Sequence, residues 1–233
     1  MEFKKLDLGD PTQKEFFERV YNASFPDRER RPLKYLYSNH TGDKPFTLCL
    51  IWDGNRPEGT TVEGGQTTGN DTGSGERPGV TTGDKCRPVG LLGIWHLPDF
   101  DYGEYFAIDP ALRGQGTGQR ALAMWLAQLD RPALIEVEPS VDPATGREDP
   151  TARRRIEFYT RNGFRLWDGI DYIQPTYHYN GVVVPMKLMT YGQIDLAAQW
   201  ERIRVPFFRE VYGVRKEQIP QATGLLRPGT PQK

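Results

Sequence analysis

The chain has 233 residues, 30 basic and 31 acidic, for a net charge of −1. That balance gives no electrostatic footprint for nucleic acid or an anionic membrane. No apolar run approaches the ~20 residues of a membrane-spanning helix, and hydrophobic residues make up only 37%.

MEFKKLDLGD at the start alternates polar and apolar residues and has no signal-peptide core, so a cytoplasmic location is expected. Phe3, Leu6 and Leu8 suggest a first strand. Asp10-Pro11-Thr12-Gln13 has the composition of a helix start, with an N-cap carboxylate and proline in the first turn. Phe16, Phe17, Val20 and Tyr21 give that helix its apolar stripe, and Phe25-Pro26 ends it. The charged run Asp27-Arg28-Glu29-Arg30-Arg31 leads into a second helix with Leu33, Leu36 and Tyr37. Phe46–Trp52 is nearly continuously apolar and predicts a strand covered on both faces. Residues 54–87 hold nine glycines and seven threonines with almost no large apolar side chains. Such a stretch cannot offset its ordering entropy, which predicts a disordered loop insertion between two strands. A lid is the functional alternative for this insertion.

Val89–His96 predicts the next strand, and Tyr102–Ile108 the central one, ended by Pro110. A glycine loop, Arg113-Gly114-Gln115-Gly116-Thr117-Gly118, precedes a helix with Leu122, Trp125, Leu126 and Leu129 on one face. Helix N-termini carry unpaired N–H groups and the positive end of the helix dipole. Three glycines there let an anion reach the backbone, so the loop suits a phosphate or pyrophosphate. It is neither a Walker loop nor the GxGxxG fingerprint. Ala133–Glu138 predicts a fifth strand, 151–161 a helix capped by Gly163, and 164–167, 171–179 and 182–189 further β segments. The last two are joined at Asn180-Gly181, a strong turn dipeptide. Ile194, Leu196, Ala197, Trp200 and Ile203 predict a C-terminal helix that Pro206 kinks or ends. The reading is one domain over 1–216, with 191–216 as a helical extension and 217–233 as a flexible tail.

Arg113-x-x-Gly116-x-Gly118, after a strand ending Phe-Ala-Ile-Asp-Pro, resembles the acyl-coenzyme A loop of the GNAT N-acyltransferase superfamily. The resemblance extends to Ile156-Glu157-Phe158-Tyr159-Thr160-Arg161-Asn162-Gly163-Phe164, about 40 residues downstream. It implies an α/β fold: a twisted mixed sheet flanked by helices. The predicted order β-α-α-β-β-β-α-β-α-β-β is that of the family. It also implies an N-acetyltransferase that takes acetyl-CoA and a primary amine, small molecule or peptide, by direct attack in a ternary complex. A coenzyme A-binding sensor that has lost its base, or an aminoglycoside acceptor, is the alternative.

The resemblance assigns the coenzyme to Phe106, Ile108, Arg113, Gly114, Gln115, Gly116, Thr117 and Gly118. Phe106 and Ile108 would contribute backbone groups. Glu104 is the candidate base, on one strand face with Tyr102 and Phe106. The family's glutamate base falls at Tyr102, and a salt bridge is the competing role for Glu104. Glu136 and Glu138 share a face of the fifth strand; they either grip a cationic substrate or pair with Arg153, Arg154 or Arg155. Glu138 is the reserve base. Tyr159 carries over as the acid for the departing thiolate, with core packing as its alternative. His96, His178, Tyr172, Gln174 and Tyr177 are candidates for lining the acceptor cleft. Single scattered histidines do not make a metal site. Cys49 in its strand argues against a covalent intermediate. Trp200, Phe207, Phe208 and Tyr212 form either a homodimer surface or a face packed on their own sheet.

Overall fold

A computed structural model describes residues 1–54, 86–167, 172–175 and 184–215. Most of the 54–87 insertion, the Asn180-Gly181 turn, Tyr177, His178 and the 217–233 tail therefore lie outside the described residues.

The strands are β1 (Glu2–Lys5), β2 (Phe46–Asp53), β3 (Arg87–His96), β4 (Asp101–Ile108), β5 (Ala133–Val137), β6 (Arg165–Leu166), β7 (Tyr172–Gln174) and β8 (Val184–Tyr191). The helices are α1 (Pro11–Ser24), α2 (Leu33–Thr41), α3 (Thr117–Gln128), α4 (Pro150–Arg161) and α5 (Leu196–Pro206). One mixed sheet runs β1-β2-β3-β4-β5-β8-β6, with β7 also on β8. Among the described residues, only β4 and β5 pair in parallel; every other pairing is antiparallel.

Local chemistry fixes the helix starts. Asp10 accepts from the Thr12 and Gln13 amides ahead of α1, and Asp149 from the Thr151 and Ala152 amides ahead of α4, each with proline next. Both faces of the sheet are covered. One core joins Phe17, Tyr21 and Leu36 to Trp95, Tyr102 and Tyr105. The opposite core joins Leu122, Trp125 and Tyr159 to Ile135 and Met189.

Two sequence readings are decided by the packing. The 194–203 pattern gives α5 as predicted, but Trp200, Phe207, Phe208 and Tyr212 are buried against their own chain. Phe207 meets Tyr102 edge-on at 4.8 Å and Phe208 meets Tyr172 at 6.0 Å. Of the two readings left open, these four side chains take the packed one. Second, Tyr102, Glu104 and Phe106 do not share a face. The β3–β4 register passes from Ile94 opposite Gly103 to Gly93 opposite Tyr105, so Glu104 is an extra bulge residue. After the bulge Tyr105 joins the face of Tyr102, and Phe106 turns to the other side.

Candidate active site

The site begins where two strands part. β4 and β5 pair only from Asp101–Ala133 to Gly103–Ile135. Beyond that both continue without each other, and a cleft of about 540 Å³ opens between them. Gly103 stands at the parting because a side chain there would not fit. A Cβ would lie 2.5 Å from Cη2 of Trp125, whose indole is buried beneath the strands.

The Asp109 amide donates to Val89 O on β3 at 2.9 Å. Backbone direction alternates along a strand, so Ala107 faces β3 as well, and the peptide groups of Phe106 and Ile108 face the cleft. At the end of β4 the chain turns through the glycine loop into α3. Gly114 (φ 77°) and Gly116 (φ 73°) are left-handed, a conformation that favours glycine. Gly116 is the N-cap of α3, and no side chain caps that helix. Its first amides are therefore open to an anion. A Cβ at Gly118 would lie 3.6 Å from Cγ1 of Ile108, so the loop runs close to the strand end. Gln115 is exposed and Thr117 buried at the first turn. Arg113 is held by protein partners. Its Nε donates to Ile108 O at 3.1 Å and its Nη2 to Ser24 Oγ at 2.8 Å, so it braces the loop against β4 and α1.

Tyr159 lies across the cleft on α4. Its ring packs against Phe158 and Phe164 at 5.3 Å each. Its hydroxyl makes no hydrogen bond among the described residues. Burial pushes that hydroxyl up to about 12, partly offset by Arg155, so it keeps its proton at neutral pH.

The acidic residues separate into two kinds. Glu104 has a 1% exposed side chain. Its Oε1 accepts from Arg31 Nη2 at 3.0 Å and Nε at 3.2 Å, and its Oε2 from Trp95 Nε1 at 2.6 Å. The salt-bridge role is the one its surroundings favour. Glu138 pairs with Arg155, one of the three arginines anticipated, and Glu29 with Arg28 at 3.1 Å. Glu136 is different. Its Oε1 accepts from the hydroxyls of Tyr172 and, at 2.8 Å, Tyr212. Its Oε2 accepts from the Tyr102 hydroxyl at 3.0 Å and Gln174 Nε2 at 2.8 Å. Burial pushes the carboxyl up to about 7, against the opposing pull of the three hydroxyls.

Tyr172 and Gln174 were anticipated at the cleft. His96 is not there: its side chain is 47% exposed and meets Asp101 at 3.1 Å. The sequence shows Arg31 only within a charged run, either substrate-facing or solvated, and Tyr212 only within an aromatic segment, because nothing local says that residues 31 and 212 meet. Burial also pushes the Cys49 thiol up to about 11, which keeps it inert. Both cysteines are free. Among the described residues, no group of three or more His, Cys, Asp or Glu is placed to hold a metal ion, and no helix is long and apolar enough to cross a membrane.

No family model and no curated protein matches the chain. Solved structures do. One from Bacteroides thetaiotaomicron, described as an acetyltransferase of the GNAT family, is 31% identical; the alignment covers 92% of this chain and all of that one, with a TM-score of 0.72. The chain belongs to the GNAT family. Two more distant structures also align. Arabidopsis thaliana NAA60 in complex with acetyl-CoA is 14% identical over 82% of this chain and 97% of its own, with a TM-score of 0.48. An aminoglycoside 6'-N-acetyltransferase complexed with coenzyme A is 13% identical over 84% of this chain and all of its own, with a TM-score of 0.47.

Proposed function

We propose that the chain is an N-acetyltransferase that moves the acetyl group of acetyl-CoA to a primary amine, by direct attack in a ternary complex. One observation carries this reading: the parted β4 and β5 connect the uncapped glycine start of α3 with a carboxylate-lined recess. The pyrophosphate of the coenzyme fits the amides of Gly114, Gln115, Gly116, Thr117 and Gly118. The pantetheine arm lies along the cleft-facing peptide groups of Phe106 and Ile108, which also supply N–H groups for the developing oxyanion. Tyr159 gives its proton to the departing thiolate.

The acceptor end is lined by Glu29, Glu104, Glu136 and Glu138. That suits a cationic amine, a small molecule or the amino group of a peptide. The half-buried, unactivated thiol of Cys49 supports direct transfer. Arg113 acts as a brace for the loop. The working form is proposed as a cytoplasmic protein.

The test is thiol release from acetyl-CoA with spermidine, an aminoglycoside and a lysine peptide, together with acetyl-CoA calorimetry on Gly116→Glu. Turnover in the wild type and lost binding in the variant are expected. Binding without turnover on any amine would favour a coenzyme A sensor. Retained affinity in Gly116→Glu would overturn the loop assignment.

A further inference from the structure

The acid residues of the recess differ in what faces them. Glu104, Glu138 and Glu29 each meet an arginine. Taking a proton would leave those guanidinium groups facing a neutral partner. Glu136 has no cation among its hydrogen-bond partners in the described residues. It is held by three phenols and one amide, drawn from three elements. Tyr102 comes from β4, Tyr172 and Gln174 from β7, and Tyr212 from the segment after α5. Glu104, paired with Arg31, adds like-charge repulsion. Burial holds the Tyr172 and Tyr212 hydroxyls well above the usual phenol range, so they stay donors while Glu136 is ionised.

The geometry points to Glu136 as the group that takes the proton from the acceptor ammonium, with Tyr212 as its positioning residue. The assignment rests on the proposed acetyl transfer. Four neutral donors fill the carboxylate's hydrogen bonds without a cation among the described residues to balance its charge, and the acceptor ammonium is the cation that meets it. The ammonium gives one proton to Glu136 and becomes a free amine. The amine nitrogen attacks the thioester carbonyl, the C–N bond forms and the C–S bond breaks. The thiolate takes the Tyr159 proton. The second proton of the attacking nitrogen leaves through water and restores Tyr159, and Glu136 returns its own proton to solvent. A carboxyl near neutrality is suited to this exchange.

Tyr212 makes the site depend on the C-terminal segment. Arg31 Nη2 donates to Val211 O at 2.8 Å, so the residue before Tyr212 is tied to the Glu104 ion pair. Phe207 and Phe208 anchor the same segment beneath Tyr102 and Tyr172. Removal of the Tyr212 hydroxyl takes one donor from the ionised form and raises the pH at which Glu136 titrates.

The experiment uses the full chain with acetyl-CoA and spermidine, kanamycin and a short lysine peptide as probes. The rate is followed against pH for the wild type, Glu136→Gln and Tyr212→Phe. Carboxyl carbon NMR titration of the wild type, assigned with Glu136→Gln, reads the group directly without depending on the acceptor. The wild-type rate should climb tenfold per pH unit below about 7. Glu136→Gln should lose at least about 100-fold in kcat, with acetyl-CoA affinity by calorimetry kept. Tyr212→Phe should move the acidic limb and the NMR titration upward together. Wild-type rates in Glu136→Gln, or a Glu136 resonance that titrates near an ordinary carboxyl, would overturn this assignment and leave the acetyl-transfer reading standing. Acetyl-CoA binding with no turnover on any probe would overturn both.

Discussion

The neutral surroundings of Glu136 carry a stability cost that Glu136→Gln should remove. Burial lifts this carboxyl from its ordinary 4.5 to about 7. At about 1.4 kcal/mol for each tenfold change, the ionised form costs the folded protein roughly 3 kcal/mol above pH ~7. The sign follows from proton counts. Between about 4.5 and 7 the folded chain keeps a proton that the unfolded chain has lost, so stability falls as pH rises through that window. Near pH ~5 less than about 1 kcal/mol of the cost is present. Glutamine has no charge to desolvate, but its amide nitrogen meets other donors, and the lost hydrogen bonds cost about 1 kcal/mol. The variant should therefore be more stable than the wild type by about 2 kcal/mol at pH ~8, and equal or slightly weaker at pH ~5. For a chain of this size that is about 4 to 8 °C in Tm at the higher pH. Thermal unfolding at both pH values, with urea titration beside it, reads the difference. A variant that is destabilised equally at both pH values would refute the reasoning, since the carboxyl would then be ordinary.

Three further outcomes are expected. Arg31→Met should cost about 3–5 kcal/mol in urea titration, because it leaves Glu104 buried beside an apolar side chain. Adding Glu104→Gln should recover most of that loss, and a double variant as weak as the single would place Arg31's contribution elsewhere. Gly103→Ala should cost about 1–3 kcal/mol, because its Cβ meets the Trp125 ring at 2.5 Å; a neutral effect on Tm would mean that the indole shifts freely. Tyr159→Phe should keep stability within about 1 kcal/mol and acetyl-CoA affinity by calorimetry. Its turnover should fall about 100-fold, and unchanged turnover would leave Tyr159 as packing.

Much of the fold was legible because its signals are local. The Asp10 and Asp149 caps, the glycine loop and the apolar stripe of α3 act within a few residues, so propensity and spacing report them directly. Short apolar runs bounded by turn residues and prolines likewise located β2 to β5 to within two residues or so. The face of Phe106 was not legible, because a bulge inserts one residue that only strand pairing reveals. The aromatic residues from Trp200 to Tyr212 were legible as apolar, but an apolar stripe does not say which surface covers it.

The sequence alone determined the loop proposed to hold the coenzyme: its glycines at 114, 116 and 118, the start of α3 and the strand before it. These depend on backbone geometry that a few adjacent residues dictate. Tertiary structure decided the acid side. Glu104 became an ion-pair partner and Glu136 a carboxylate among neutral donors only once residues 31, 102, 172, 174 and 212 were brought to them. The charge state of a carboxylate is set by whatever excludes water from it and donates to it. In this fold those groups lie up to 76 residues away along the chain.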